Sequence, residues 1–237
     1  MGRGRKVATP VVKGRTLEDF IKLQEGRAEE QGYPRMFLLF STYTRRLSIA
    51  VHLAEALKYL HHKKHVHRDV KPANIFLPAG RESTAPEAKL GDFGIMKWAD
   101  FQASISSGTL TMVNQRGLGT MKYMSPEQAI APKEVTVRSD TYSLGITLFE
   151  LFTGQLLPSH HHVFEVVNAR LSRGTTASRF TAMGYRISST DETIAGLVLD
   201  MHLRGPTGRP QIDKITGCLK YEFTAVQDDK ESREVGV

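Results

Sequence analysis

The chain has 237 residues, 40% hydrophobic and 24% charged, enough apolar material for a sizeable core in one or two domains. Its single cysteine, Cys218, excludes a disulfide framework and points to an intracellular, cytoplasmic protein. No apolar run approaches the roughly 18 residues of a membrane span, and the start Met1-Gly2-Arg3-Gly4-Arg5-Lys6 has neither a signal-peptide core nor the Ser or Thr that myristoylation requires. The net charge of +7 includes Arg3, Arg5, Lys6, Lys13 and Arg15 near the start. With no aromatic residues interleaved for base stacking, this arm reads as a solvated tail.

In chain order, residues 7–13 read as a short strand broken by Pro10, which cannot donate to a ladder. Thr16 is placed to cap a helix that begins Leu17-Glu18-Asp19, with two acids in its first turn. Gly26 to Pro34 is a polar loop. From Thr44 to His62, Leu47, Ala50, Val51, Ala54 and Leu57 recur at three- and four-residue spacing and predict a helix. Ile75-Phe76-Leu77 and Ala88-Lys89-Leu90-Gly91 read as short strands on either side of a polar loop over 78–87. Residues 95–118 have no periodicity and are rich in Ser and Thr. Ser139 opens a helix that is apolar nearly all round and therefore buried, ended by Gly154. Further helices are predicted over 163–171, 191–203 and, roughly, Gln211 to Phe223. Residues 225–237 are polar and read as disordered.

Chemistry concentrates between the first long helix and the second strand. His67-Arg68-Asp69-Val70-Lys71-Pro72-Ala73-Asn74 brings a base, two cations and an amide within eight residues, and Asp92-Phe93-Gly94 follows eighteen positions past Asn74. His160-His161-His162 and the group His61, His62, His65 and His67 lack the spacing of a metal site and read as solvated loop histidines, apart from His67. Cys218 reads as a buried or inert thiol.

The first of these segments matches H-R-D-L-x-x-x-N with Val70 in place of Leu, and the second matches D-F-G. Over roughly residues 7 to 224 the chain resembles the protein kinase family. Lys71, with Thr120 in Gly119-Thr120, resembles the Ser/Thr class. The fold implied is α+β and mainly α: a kinase large lobe with short strands around the catalytic loop and D-F-G. Residues 1–13 would be a basic tail and the remnant of the last small-lobe strand and hinge, and 14–224 the domain.

The resemblance implies ATP, magnesium and a protein substrate. Phosphoryl transfer needs positioning and charge stabilisation more than covalent work. Asp69 would accept or orient the proton of the substrate hydroxyl, and Lys71 would place its ammonium over the transferring phosphate. Asn74 and Asp92 would hold magnesium, a hard cation that prefers oxygen ligands. Phe76 would contact the adenine. His67 would pack beneath Asp92-Phe93-Gly94, with Gly94 permitting the sharp turn. Arg68 would grip a phosphate on the activation loop, for which Thr109 and Thr111 are the candidates. Glu127, in Ser125-Pro126-Glu127 where the family has A-P-E, would pair with Arg209. Asp140 would accept backbone hydrogen bonds from the catalytic loop.

The glycine-rich phosphate loop and the V-A-I-K lysine have no counterpart in the thirteen residues before Gly14. That implies a truncated kinase with an essentially absent small lobe. Its exposed upper face would call for a covering partner, and it would transfer phosphate poorly on its own. The alternatives are a non-catalytic scaffold and, on the strength of the basic arm alone, a nucleic-acid-binding module. Unclustered charge elsewhere disfavours the second.

Overall fold

The computed structural model describes residues 14–22, 43–78, 87–92, 122–130, 135–154, 192–203 and 205–235. The expected strand over 7–13, the loop 26–34, the segment 95–118 and the helix 163–171 lie outside these residues, as do Phe93, Gly94, Thr109, Thr111 and Thr120. The described part is mostly helical with one small sheet, as expected for the class.

Three short strands form an antiparallel sheet in the order β1 (Gly14–Thr16), β2 (Ile75–Pro78), β3 (Lys89–Leu90). Thr16 pairs with Phe76, and Ile75 with Leu90. The strand over Gly14–Thr16 was not among those expected from the sequence. Gly14 makes it possible, because a Cβ there would collide with the Leu77 carbonyl across the ladder. Strand alternation turns Ile75 and Leu77 into the core and Phe76 to the other face, where it is half-buried.

Helix follows directly, α1 being described over 17–22. Thr16 caps it as expected. Its Oγ1 accepts from the Asp19 N–H at 3.2 Å, while the Asp19 carboxylate accepts from the Thr16 N–H at 3.1 Å. This reciprocal box satisfies two donors that a bare helix end leaves open.

Helix α2 (Tyr43–His62) buries Leu47, Ala50, Leu53, Ala54 and Leu57, the stripe that the spacing predicted. Its Arg46 is also buried, and the guanidinium donates to the carbonyls of Leu151 and Phe152. Those carbonyls belong to the last turn of α4 (Val137–Thr153), where no intrahelical donor remains for them. Between these helices in sequence lies the short α3 (Pro126–Ile130).

The start of α4 is two residues earlier than predicted, because Thr136 supplies the cap. It forms a capping box with Ser139, and Gly154 ends the helix in the left-handed region at φ 65°. The helix is buried around most of its circumference. Helix α5 (Glu192–Leu203) packs on it at Gly145, where a Cβ would lie 2.9 Å from the Met201 Cβ.

The last helix overturns the expected disordered tail. Helix α6 runs Ile212–Val235, so residues 225–235 are helical. No Gly or Pro interrupts 218–235, and Gln, Lys, Glu and Arg there are good helix formers. Ile212, Ile215 and Leu219 of α6 enter the core beside α2. Lys58–Asp213 at 3.1 Å and Lys220–Glu55 at 2.5 Å are exposed ion pairs along that contact. Among the described residues no helix is long and apolar enough to cross a membrane.

Candidate active site

The site is a loop between α2 and β2 held from beneath by α4. Asp140, in the first turn of α4, is fully buried. Its Oδ1 accepts from the Arg68 N–H at 2.8 Å. Its Oδ2 accepts from the His67 N–H at 2.8 Å and from His61 Nε2 at 2.9 Å. A carboxylate in a first turn also faces the positive end of the helix dipole. These contacts hold Arg68 at φ 69°, a left-handed conformation that costs a non-glycine residue about 1–2 kcal/mol.

That turn aims Asp69, which is 7% exposed. One carboxylate oxygen lies 2.9 Å from Lys71 Nζ. The other accepts from Asn74 Nδ2 at 2.8 Å, and the same amide donates to the Asp69 carbonyl at 2.8 Å. The backbone reaches Asn74 through a 3₁₀ turn, Pro72–Asn74, in which proline needs no N–H partner.

His67 is buried between the loop and β3. Nε2 lies 3.2 Å from the Gly91 carbonyl, which only accepts, and Nδ1 is 3.3 Å from the Asp69 N–H, which only donates. Neutral imidazole with the proton on Nε2 fits both. Burial pushes the His67 pKa below its ordinary value, outweighing the upward pull of Asp140, the Gly91 carbonyl, Asp69 and Asp92.

The Gly91 N–H donates to the Asn74 carbonyl at 2.9 Å and carries the β2–β3 ladder one step past Ile75 and Leu90. Asp92 therefore emerges next to Asn74, exposed and at φ 55°. A Cβ on Gly91 would approach the Phe76 ring to 2.8 Å, so glycine leaves room for the ring at this end of the sheet. The Asn74 side-chain nitrogen is spent on Asp69, and the side-chain oxygen Oδ1 accepts no hydrogen bond among the described residues. An amide oxygen beside a carboxylate is a donor set that fits a hard cation such as magnesium.

A second constellation stands behind the first. Arg209 grips Glu127 of α3 through two bonds, Nη1–Oε1 at 2.5 Å and Nη2–Oε2 at 3.0 Å. The Ser139 hydroxyl adds a third to Oε1 at 2.8 Å. Burial alone would raise the Glu127 pKa, but the bonds from Arg209, its own backbone and Ser139 outweigh it and hold the carboxyl below its ordinary value. The guanidinium sits 4.9 Å over the Tyr142 ring and also donates to the Arg138 carbonyl at 2.9 Å. Burial raises the Tyr142 pKa to about 12, although Arg209 draws it down. Nearby, Tyr123 Oη donates to Glu150 at 2.6 Å and Ser143 Oγ to the Tyr123 carbonyl at 2.7 Å, so the segment before α3 is tied to α4.

Residues 7–221 match the model of the protein kinase domain. The chain belongs to the protein kinase family. It is 37% identical over 125 residues to the serine/threonine-protein kinase PknF of Mycobacterium tuberculosis, an alignment covering 53% of this chain and 25% of that one. It is 38% identical over 112 residues to the serine/threonine-protein kinase pkn2 of Myxococcus xanthus, covering 47% and 13%. The proline-rich receptor-like protein kinase PERK13 of Arabidopsis thaliana is 40% identical over 116 residues, covering 48% and 14%. The chain thus spans a quarter or less of the length of these relatives. They support a serine/threonine-kinase membership.

Within this kinase domain the structure brings together His67, Arg68, Asp69, Lys71, Asn74, Phe76, Asp92 and Asp140, and separately Glu127 with Arg209. Two contributors were missed. His61 was grouped with solvated histidines, yet it is 7% exposed and bonded to Asp140. It lies one turn past Leu57 near the end of α2, so the helical stripe carries it inward. Gln128, 1% exposed, donates from Nε2 to the Arg68 carbonyl at 3.0 Å. Its signal was readable as Ser125-x-x-Gln128, a capping-box spacing. His62 does stand exposed, beside Asp213 at 3.2 Å. Cys218 is half-buried in α6.

Proposed function

We propose that the protein transfers the γ-phosphate of ATP to a serine or threonine hydroxyl of a protein substrate, with Asp69 as the catalytic carboxylate. The observation that carries this reading is the clamp on Asp69: Lys71 on one oxygen at 2.9 Å and the Asn74 amide on the other at 2.8 Å. The clamp fixes the carboxylate within reach of the end of the β2–β3 ladder, where Asp92 emerges. A fixed carboxylate orients an incoming hydroxyl and takes its proton as the phosphoryl group leaves ATP. Lys71, only 12% exposed, brings positive charge to the same place, where a developing phosphoryl charge is stabilised most in dry surroundings.

Asn74 Oδ1 and the Asp92 carboxylate are the residues to hold magnesium, which would neutralise charge on the phosphate oxygens. Phe76 offers its half-buried ring beside Gly91 as a surface for the adenine. Thr109 and Thr111 remain the candidates for a regulatory phosphate read by Arg68, and Thr120, Phe93 and Gly94 keep the family roles given above.

The test is magnesium-dependent transfer of labelled phosphate to a generic protein substrate, wild type against Asp69→Asn. The variant keeps the shape and removes the charge. The expected loss is about a hundredfold or more, near 3 kcal/mol of barrier. Transfer by Asp69→Asn equal to that of an active wild type would contradict the reading.

A further inference from the structure

We propose that Gln128 is a positioning residue for Asp69, coupling the short helix α3 to the strained turn of the catalytic loop. This rests on the reading of Asp69 given above. The Gln128 amide has two ends and the structure uses both. Its Oε1 accepts from the Ser125 N–H at 3.2 Å and from the Ser125 hydroxyl at 3.1 Å. Its N–H lies 3.4 Å from Ser125 Oγ, which completes a capping box at the head of α3. Its Nε2 donates to the Arg68 carbonyl at 3.0 Å. The orientation of the amide follows from its partners. The Ser125 N–H can only donate and so requires the oxygen, whereas the Arg68 carbonyl can only accept and so requires the nitrogen.

Arg68 is the residue whose backbone is strained, at φ 69°. Asp140 holds its N–H from α4, and Gln128 holds its carbonyl from α3. The Arg68 carbonyl belongs to the peptide that leads directly into Asp69. Fixing it fixes the plane from which the Asp69 side chain departs. A strained residue persists where its surroundings over-determine it, and two buried anchors on opposite ends of one residue do that here. Glu127, the neighbour of Gln128, is itself locked to Arg209. The position of α3 is therefore passed to Asp69 through a single amide. A glutamate at 128 would still close the capping box but could not donate to Arg68. A shortened or apolar side chain would do neither.

The experiment is amide hydrogen exchange on the whole chain, read at Arg68 and Asp69, for wild type, Gln128→Glu, Gln128→Met and Ser125→Ala. Gln128→Glu keeps the acceptor for Ser125 and loses the donor, and the expected result is exchange about tenfold faster at Arg68 and Asp69 with 141–153 unchanged. Gln128→Met fills similar space and gives the same answer if the glutamate variant fails to fold. Ser125→Ala removes the serine hydroxyl and leaves the donor to Arg68, so exchange at Arg68 and Asp69 stays within about twofold of wild type. The same proteins are assayed for transfer, where loss of positioning lowers kcat about tenfold with KM for ATP unchanged. Exchange at Arg68 and Asp69 unaltered in both Gln128 variants would overturn the proposal. So would Ser125→Ala loosening them as much as Gln128→Glu, since the effect would then come from the cap. Absence of transfer in every protein, wild type included, would count against the phosphotransfer reading alone, and the exchange arm would still decide the coupling.

Discussion

Ser139, Asp140, Thr141, Tyr142 and Ser143 in the first turns of α4 are as deeply buried as Leu144, Ile146, Leu148 and Leu151 in its later turns. The first group is held by named partners. Asp140 takes three donors from α2 and the catalytic loop, Ser139 donates to Glu127, and Tyr142 lies under Arg209. The second group is held by packing, with Leu144, Leu148 and Leu151 in one cluster with α2, α5 and α6. The difference is one of kind. A polar contact specifies direction and distance, whereas an apolar contact specifies volume and tolerates small shifts. One helix thus gives the site its coordinates from one half and the domain its cohesion from the other.

The largest expected effect is at Asp140. Asp140→Ala leaves the His67 and Arg68 N–H groups and His61 without their acceptor in a dry place, at about 1–3 kcal/mol for each orphaned group. Chemical denaturation should show a loss of about 3–5 kcal/mol, and the exchange of His67 and Arg68 should rise with it. A loss under about 1 kcal/mol would mean that water replaces the carboxylate and that the anchoring is not structural.

Next is Leu148→Ala, for which cavity formation predicts about 2–5 kcal/mol. Here the exchange of Arg68 and Asp69 should keep its wild-type ratio to that of α4 as a whole. If the loop loosens selectively, the division between the two halves is too sharp.

A smaller effect depends on pH. The folded Glu127 pKa lies below its ordinary value, so its contribution is fully present at neutral pH. It fades as pH falls below the ordinary value of 4.5 and is gone below the folded value. The stability gap between wild type and Glu127→Gln should therefore shrink over that acid window. A gap that holds constant would show that Arg209 binds the neutral side chain equally well.

The sequence made most of this readable where the signal is contiguous. His67 to Asn74 and Asp92 are short-range patterns, and the stripe of α2 and the glycine stop of α4 are local chemistry. What escaped is long-range. The carboxylate that α4 puts opposite His61 is 79 positions away, and no local rule reports that partner. The expected end of α6 falls short because the polarity of 225–235 reads as disorder, although good helix formers lie there and Val226 packs against the core. The strand at Gly14–Thr16 depends on Leu77 some sixty positions away, so the sheet that places Phe76 was only half legible. The role of Gln128 needed the fold, because its partner Arg68 lies in another part of the chain.

The most direct test of the account is the rate of labelled-phosphate transfer per folded molecule in Asp140→Asn against Leu148→Ala. Asp140→Asn keeps the side-chain shape but turns one acceptor into a donor that faces the loop's own N–H groups. The account predicts a loss of about a hundredfold for Asp140→Asn. It predicts a rate within about threefold of wild type for Leu148→Ala, even though that variant melts earlier. Equal loss in the two variants would contradict the claim that the polar half of α4 sets the geometry of the site while the apolar half only holds the domain together.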